Sequence, residues 1–181
     1  MKHYPGFILA AGMLAGAFAP DAGAVSKGTN ELSVLGGVRI FEGDANLDPG
    51  LIYGLRFGHF LADRFSAELS VIAGEAQGQT SGTDFNVLYP AASVSYHFLR
   101  YKKFLPFFQI GAGAMYVTNG ASATTTDFAA HWGLGLKYFY MSDFLFRADV
   151  SHVIDTKIGK GTNDLLGALG MSWLFGPGQA E

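Results

Sequence analysis

Large apolar residues and small or polar residues alternate with a period of two along most of this chain, and clusters of Gly, Asp, Asn, Ser and Thr interrupt the alternation at intervals. Successive side chains of a strand point to opposite faces, so this pattern predicts strands joined by turns. Eight strands are predicted: Glu31–Ile40, Leu51–Phe60, Phe65–Gly74, Phe85–Phe98, Phe107–Thr118, Phe128–Tyr140, Phe144–Val153 and Asp164–Phe175. Most are close to the roughly 9–11 residues that a tilted strand needs to cross a bilayer, and the longer ones would project beyond it. The connections alternate in length. Longer polar stretches (Phe41–Gly50, Glu75–Asp84, Asn119–Asp127 and Ile154–Asn163) follow the odd strands, and shorter links (Leu61–Arg64, Leu99–Pro106 and Met141–Asp143) follow the even ones. Short periplasmic turns at one end and long outer loops at the other are the habit of outer-membrane barrels.

The two faces differ in kind. The sixth strand sets Phe128, Ala130, Trp132, Leu134, Leu136, Tyr138 and Tyr140 against Ala129, His131, Gly133, Gly135, Lys137 and Phe139. The seventh sets Phe144, Phe146, Ala148 and Val150 against Leu145, Arg147, Asp149 and Ser151. A soluble lipocalin-like barrel would hide the bulky face and leave an exterior of glycine, serine and a few charges, too sparse in charge for water. A bulky face turned to lipid is consistent with an Arg or Lys costing roughly 2–4 kcal/mol at the bilayer midplane on that side. The expected fold is therefore all-β: an eight-stranded antiparallel up-and-down transmembrane β-barrel. Only the fourth strand changes phase, from Phe85, Val87 and Tyr89 to Ala92, Val94, Tyr96 and Phe98, and a β-bulge at Pro90 is the expected reconciliation.

Composition narrows the setting. The chain is 14% aromatic, only 15% charged and carries 25 glycines, an apolar balance unusual for a soluble domain. Its opening residues read as a secretory signal: Lys2, an apolar run from Phe7 to Ala19, and the small residues Ala22, Gly23 and Ala24. The expected organisation is a signal peptide over 1–24 with cleavage near Ala24, a barrel over 25–175 and a short periplasmic tail over 176–181. The net charge of −3 gives no footprint for nucleic acid, and the absence of cysteine removes disulfides and thiolate chemistry.

On this phase assignment the lumen collects Arg39, Arg56, Glu68, His97, Gln109, Lys137, Arg147, Asp149 and Ser172. An eight-stranded barrel has room for little besides its own side chains, so these groups must pair with one another or with trapped water. A sealed structural interior is the expectation, and a gated narrow pore is the alternative. Aromatic residues gather at strand ends, with Tyr96, Phe98, Phe107, Tyr138, Tyr140, Trp173 and Phe175 near the short turns and Trp132 nearer the outer rim, as membrane-interface girdles do.

Catalytic and metal chemistry find little support. Ser151 and His152 are adjacent in a strand and face opposite ways. His59 and His97 belong to one end and His131 and His152 to the other, so no three-ligand set forms. No catalytic, metal or cofactor site is assigned. A lipid-modifying enzyme stays as the third reading, after the structural barrel and the pore.

Several stretches carry a resemblance. Gly36-Gly37-Val38-Arg39-Ile40-Phe41, the loop ending Asn46-Leu47-Asp48-Pro49-Gly50, Tyr53-Gly54-Leu55-Arg56-Phe57-Gly58, Leu105 to Gly113, Phe146-Arg147-Ala148-Asp149-Val150 and Leu169 to Phe175 resemble OmpA-like β-barrel domains over essentially the whole mature chain. The resemblance implies a non-enzymatic, envelope-stabilising or adhesive outer-membrane barrel and names Arg56, Glu68, Lys137 and Arg147 as candidates for interior ion pairs. It also implies that the barrel-assembly machinery reads Phe175, and it covers only the barrel domain of the larger relatives. The expected contacts are outer-membrane lipid, lipopolysaccharide and an extracellular partner of the loops, whose acidic residues include Glu42, Asp44, Asp48, Glu75 and Asp84. The barrel is expected to be a monomer, with no nucleic acid.

Overall fold

The computed structural model describes residues 25–41, 48–78, 84–98, 103–119, 123–155 and 162–177. The expected signal segment, most of the expected first outer loop, including Glu42 and Asp44, and the end of the expected tail lie outside these residues. Eight strands follow one another: β1 (Asn30–Ile40), β2 (Gly50–Ala62), β3 (Phe65–Gln77), β4 (Asp84–His97), β5 (Phe104–Asn119), β6 (Ala123–Phe139), β7 (Phe144–Asp155) and β8 (Thr162–Phe175). Each pairs antiparallel with the next, and β1 closes on β8 from Asn30↔Phe175 to Ile40↔Leu165. Closure removes the free sheet edges, which hydrocarbon could not satisfy.

The wall is inside out relative to a soluble protein. Leu51, Leu69 and Leu169 are 72%, 63% and 70% exposed on the outer face, whereas Lys137 is fully buried in the lumen. Such a surface suits an apolar solvent and no other.

The strands run further than the alternation suggested. The Asn119–Asp127 stretch, expected as an outer loop, is mostly strand: Thr118 pairs with Thr124 and Asn119 with Ala123. The run Thr124-Thr125-Thr126 is polar yet β-branched, and threonine favours the extended chain. Pro106, expected in a turn, lies within β5 opposite Leu136.

The bulge expected at Pro90 is absent. On the β3 side Val71 pairs with Pro90 in unbroken register. On the β5 side the ladder stops after Leu88↔Tyr116 and resumes at Ala91↔Gly113 without a shift. Proline removes a ladder donor, yet a donor can be missing without an extra residue being inserted. The phase of β4 is therefore continuous, and Val87 and Tyr89 point into the lumen, at 8% and 3% exposure. Among the described residues the one register shift lies between Phe60 and Ala62, beside the two-residue turn Asp63-Arg64.

Glycines on the inward phase make room for large neighbours. A Cβ at Gly135 would lie 2.2 Å from Cζ of Phe107, whose ring is fully buried, whereas one at outward-facing Gly167 would meet nothing closer than 4.0 Å. Gly135→Ala is therefore expected to destabilise the barrel by about 1–3 kcal/mol. Gly167→Ala should leave it nearly unchanged, as read from urea unfolding in lipid vesicles.

Candidate functional site: a charged layer inside the barrel

Inward side chains sort into layers along the barrel axis. At the short-turn end Val25, Phe60, Leu105, Phe139, Leu145 and Leu174 form an apolar cluster. The chain before β1 tucks beneath the barrel to supply Val25, turning at Gly28, whose φ of 92° suits glycine. His97 sits in this region, stacked on Phe60 at 5.0 Å with Nε2 3.2 Å from Ser66 Oγ.

Above that cluster lies a charged layer. Lys137 Nζ donates to Glu31 Oε2 at 2.6 Å and stands 3.7 Å from Glu68 Oε1. Arg147 donates to Glu68 Oε2 at 2.8 Å, to Asp149 Oδ1 at 3.0 Å and to Gln109 Oε1 at 3.0 Å. Arg56 also donates two bonds to Asp149, sharing Oδ1 with Arg147 at 2.6 Å and reaching Oδ2 at 3.0 Å. Ser95 donates to Glu68 and Ser33 to Glu31, while Ser33 also meets Ser172 at 2.7 Å and Gln109 donates to Ser151. Every one of the eight strands contributes a side chain.

Three cations (Arg56, Lys137 and Arg147) face three carboxylates (Glu31, Glu68 and Asp149), so the layer is neutral in sum. Pairing of this kind is what a buried charge requires, because an uncompensated one costs several kcal/mol. The aromatic rings below the layer add to it. Lys137 Nζ lies 5.1 Å from the centroid of Phe60 and 5.3 Å from that of Phe107, and Arg147 lies 4.5 Å over Phe107.

A second apolar layer caps the charges on the outer side, built from Leu35, Ile52, Ile72, Val87, Tyr89, Ala91, Met115, Ala129, Val153, Leu166 and Ala168. Tyr89 Oη is 2.8 Å from His131 Nδ1. A cavity of about 20 Å³ lies between this cap and the charged layer, lined in part by Arg56, Ser93, Gln109, His131 and Ser151, and it has room for one water molecule. A second cavity of about 10 Å³ lies beside Arg39; Ile72, Tyr89 and Leu166 line both and stand between them.

Of the residues that alternation placed in the lumen, Arg56, Glu68, Gln109, Lys137, Arg147, Asp149 and Ser172 meet in the charged layer. Arg39 does not: it lies beyond the apolar cap, paired with Asp164, bonded to Met115 Sδ at 3.1 Å and placed over the Phe41 ring at 5.0 Å. Glu31 and Asp164 were missed. Both share the inward phase of their strands with recognised lumen residues, Glu31 with Arg39 and Asp164 with Ser172, so the signal was present. The outer apolar cap was missed as well, because bulky residues were assigned to the lipid face.

Tyr96, Phe98, Trp132, Tyr138, Tyr140, Trp173 and Phe175 all lie on the outer phase, whereas Phe107, expected at the interface, is fully buried inside. Phe175 packs near Phe57 at 6.4 Å, Phe144 on Trp173 at 5.3 Å and Tyr138 on Phe104 at 5.0 Å. The histidines are dispersed: His59 faces outward to Asn30 Oδ1 at 2.8 Å, and His152 faces outward to accept Trp132 Nε1–H at 3.1 Å. Ser151 turns inward to Gln109, away from His152, so the two form no nucleophile–base pair. Among the described residues no three metal-ligating side chains converge.

Lys137→Met would leave buried Glu31 without its hydrogen-bonded cation, with only Arg147 at 3.9 Å to offset it, and is expected to cost about 3–5 kcal/mol. Removing both partners of the bidentate pair, Arg56→Met with Asp149→Leu, should cost less than the sum of the two single changes, because neither partner is left alone. Urea midpoints of the four proteins, wild type included, measure the coupling.

The profile of the outer membrane protein beta-barrel domain matches residues 7–172. No curated protein sequence matches significantly. Solved structures of the same fold include the N-terminal β-barrel domain of OprF from Pseudomonas aeruginosa, at 22% identity, covering 82% of this chain and 100% of that one, with a TM-score of 0.57. Neisserial surface protein A (NspA) aligns at 10% identity over 86% of this chain and 100% of its own, with a TM-score of 0.63. Ail, the attachment invasion locus protein of Yersinia pestis, solved with the heparin analogue sucrose octasulfate, aligns at 13% identity over 82% and 99%, with a TM-score of 0.58. With an inside-out wall, a closed eight-stranded topology and a profile match across nearly its whole length, the chain belongs to the outer membrane protein β-barrel domain family.

Proposed function

We propose that this outer-membrane barrel is a sealed, non-catalytic scaffold that stabilises the envelope and presents its outer loops for contact with a partner at the cell surface. The observation that carries the reading is the stacking inside the barrel: a neutral layer of paired charges held between two apolar layers. A solute path would have to part Ile72, Tyr89 and Leu166, then the ion pairs, then Phe60, Phe107 and Leu145. With the lumen closed, recognition of a partner at the cell surface falls to the outer rim, where Asp48, Glu75 and Asp84 belong to the loop bases. Ail, a neighbour in fold, was solved with a heparin analogue, which supports ligand contact as a use to which such a barrel can be put. On the same reading lipid and lipopolysaccharide cover the outer wall of a monomer, the barrel-assembly machinery inserts it, and residues 1–24 are removed on export.

Planar bilayers containing the purified protein should stay silent over a range of voltages, and steady unitary openings would establish the pore instead. Lipid A mass spectra from cells with and without the protein should be identical; a change in acylation would make it an enzyme. Replacing the outer loops by tight turns should leave heat-modifiable migration intact while abolishing any surface adhesion the intact protein confers. The intact mass of protein extracted from outer membranes should correspond to a chain beginning at Val25, and a mass that includes residues 1–24 would refute cleavage.

A further inference from the structure

The outer wall is hollowed over β2 to β5. A groove of about 630 Å³ runs there, its outward lining Phe57, Ala67, Leu69, Ala92, Val94, Ile110 and Ala112, with His59 at its edge, and the inward-phase residues Glu68, Ser93 and Gly111 border it from beneath. Three alanines lie along it among larger residues: Leu69 pairs with Ala92 and Ala92 with Ala112, while Ala67 pairs with Val94 and Val94 with Ile110.

The groove lies in the half of the barrel nearer the short turns, which in this family face the periplasm. Below it the outward rings of Phe65 and Tyr96 meet at 5.0 Å and those of Tyr96 and Phe98 at 5.2 Å. Below the rings two exposed cations mark the rim. The Arg64 carbonyl accepts from His97 N at the foot of β4, and the Lys103 carbonyl accepts from Phe139 N beside the foot of β5. Asp63, next to Arg64, is engaged elsewhere, accepting from Lys27 N at 3.3 Å.

From midwall to rim the order is therefore apolar groove, aromatic shelf, cations. We propose that this face binds one glycerophospholipid of the periplasmic leaflet, with an acyl chain in the groove, the ester region against Phe65, Tyr96 and Phe98, and the phosphate at Arg64 and Lys103. Charge favours this occupant. A second copy docked through the same face would be related by a two-fold axis along the membrane normal, and would bring Arg64 and Lys103 of both chains to one level. Lipopolysaccharide would enter from the other rim, where the groove does not reach. The site rests on the family's orientation in the membrane and is independent of whether the lumen conducts.

The test is native mass spectrometry of the full barrel released from bilayers of phosphatidylethanolamine and phosphatidylglycerol. Wild-type protein should leave the bilayer carrying one phospholipid. Ala92→Phe with Ala112→Phe fills the groove from the lipid side and should lower the bound fraction about tenfold. Arg64→Gln with Lys103→Gln should lower it by a smaller factor, most strongly for phosphatidylglycerol. Ala148→Phe, an outward change on the other wall, should have no effect. Heat-modifiable migration verifies that each variant is a folded barrel. The proposal is overturned by an unchanged bound fraction in the filled-groove variant, by an equal loss with Ala148→Phe, or by a dimer mass that disappears when the groove is filled.

Discussion

The lumen of an eight-stranded barrel is too narrow for a column of water, and the rest of the structure depends on that constraint. A charge placed inside cannot be solvated, so it must be neutralised by a side chain across the bore. Lys137, with Glu31 and Glu68 within 4 Å, answers this from β6 toward β1 and β3. Arg147, from β7, links Glu68 of β3 to Gln109 of β5. The pairs Lys137–Glu31, Arg56–Asp149 and Arg147–Glu68 cross the barrel, tying together strands that never share a ladder.

The layers on either side follow from the same constraint. Coulombic attraction strengthens as the surrounding dielectric falls, and apolar residues above and below the charges keep it low. Phe60 and Phe107 also present ring faces to Lys137, so the floor is both seal and counter-surface. Gly135 is small because Phe107 needs its space. The apolar exterior and the packed interior are consequences of one alternating sequence, read from its two sides.

Alternation made the fold legible because a membrane barrel repeats one rule along every strand. It placed Arg56, Glu68, Gln109, Lys137, Arg147 and Asp149 on the inward phase, where the structure brings them together. Its failures have specific physical causes. Treating bulk as a mark of the lipid face concealed Val87 and Tyr89, since a barrel interior sealed against water also needs bulk. The expected bulge at Pro90 came from the same error, invented to return those residues to the outside. Thr124, Thr125 and Thr126 were read as loop from polarity, although β-branching favours the strand they form. Arg39 was grouped with the other lumen charges because phase reports the face of a residue and not its height.

The balance of three cations against three carboxylates also restricts how such a chain can diverge. A charge lost at any one of these positions leaves a partner stranded, so tolerated drift must pass through paired replacement, or through swaps that reverse a couple in one step. Neighbouring positions on the outer wall carry no such obligation, since one aliphatic side chain serves lipid about as well as another. Within a single strand, therefore, alternate residues should evolve under different regimes: those facing the bore in linked sets, those facing the membrane one at a time. This suits a fold shared with the barrels of OprF and NspA at 22% and 10% identity.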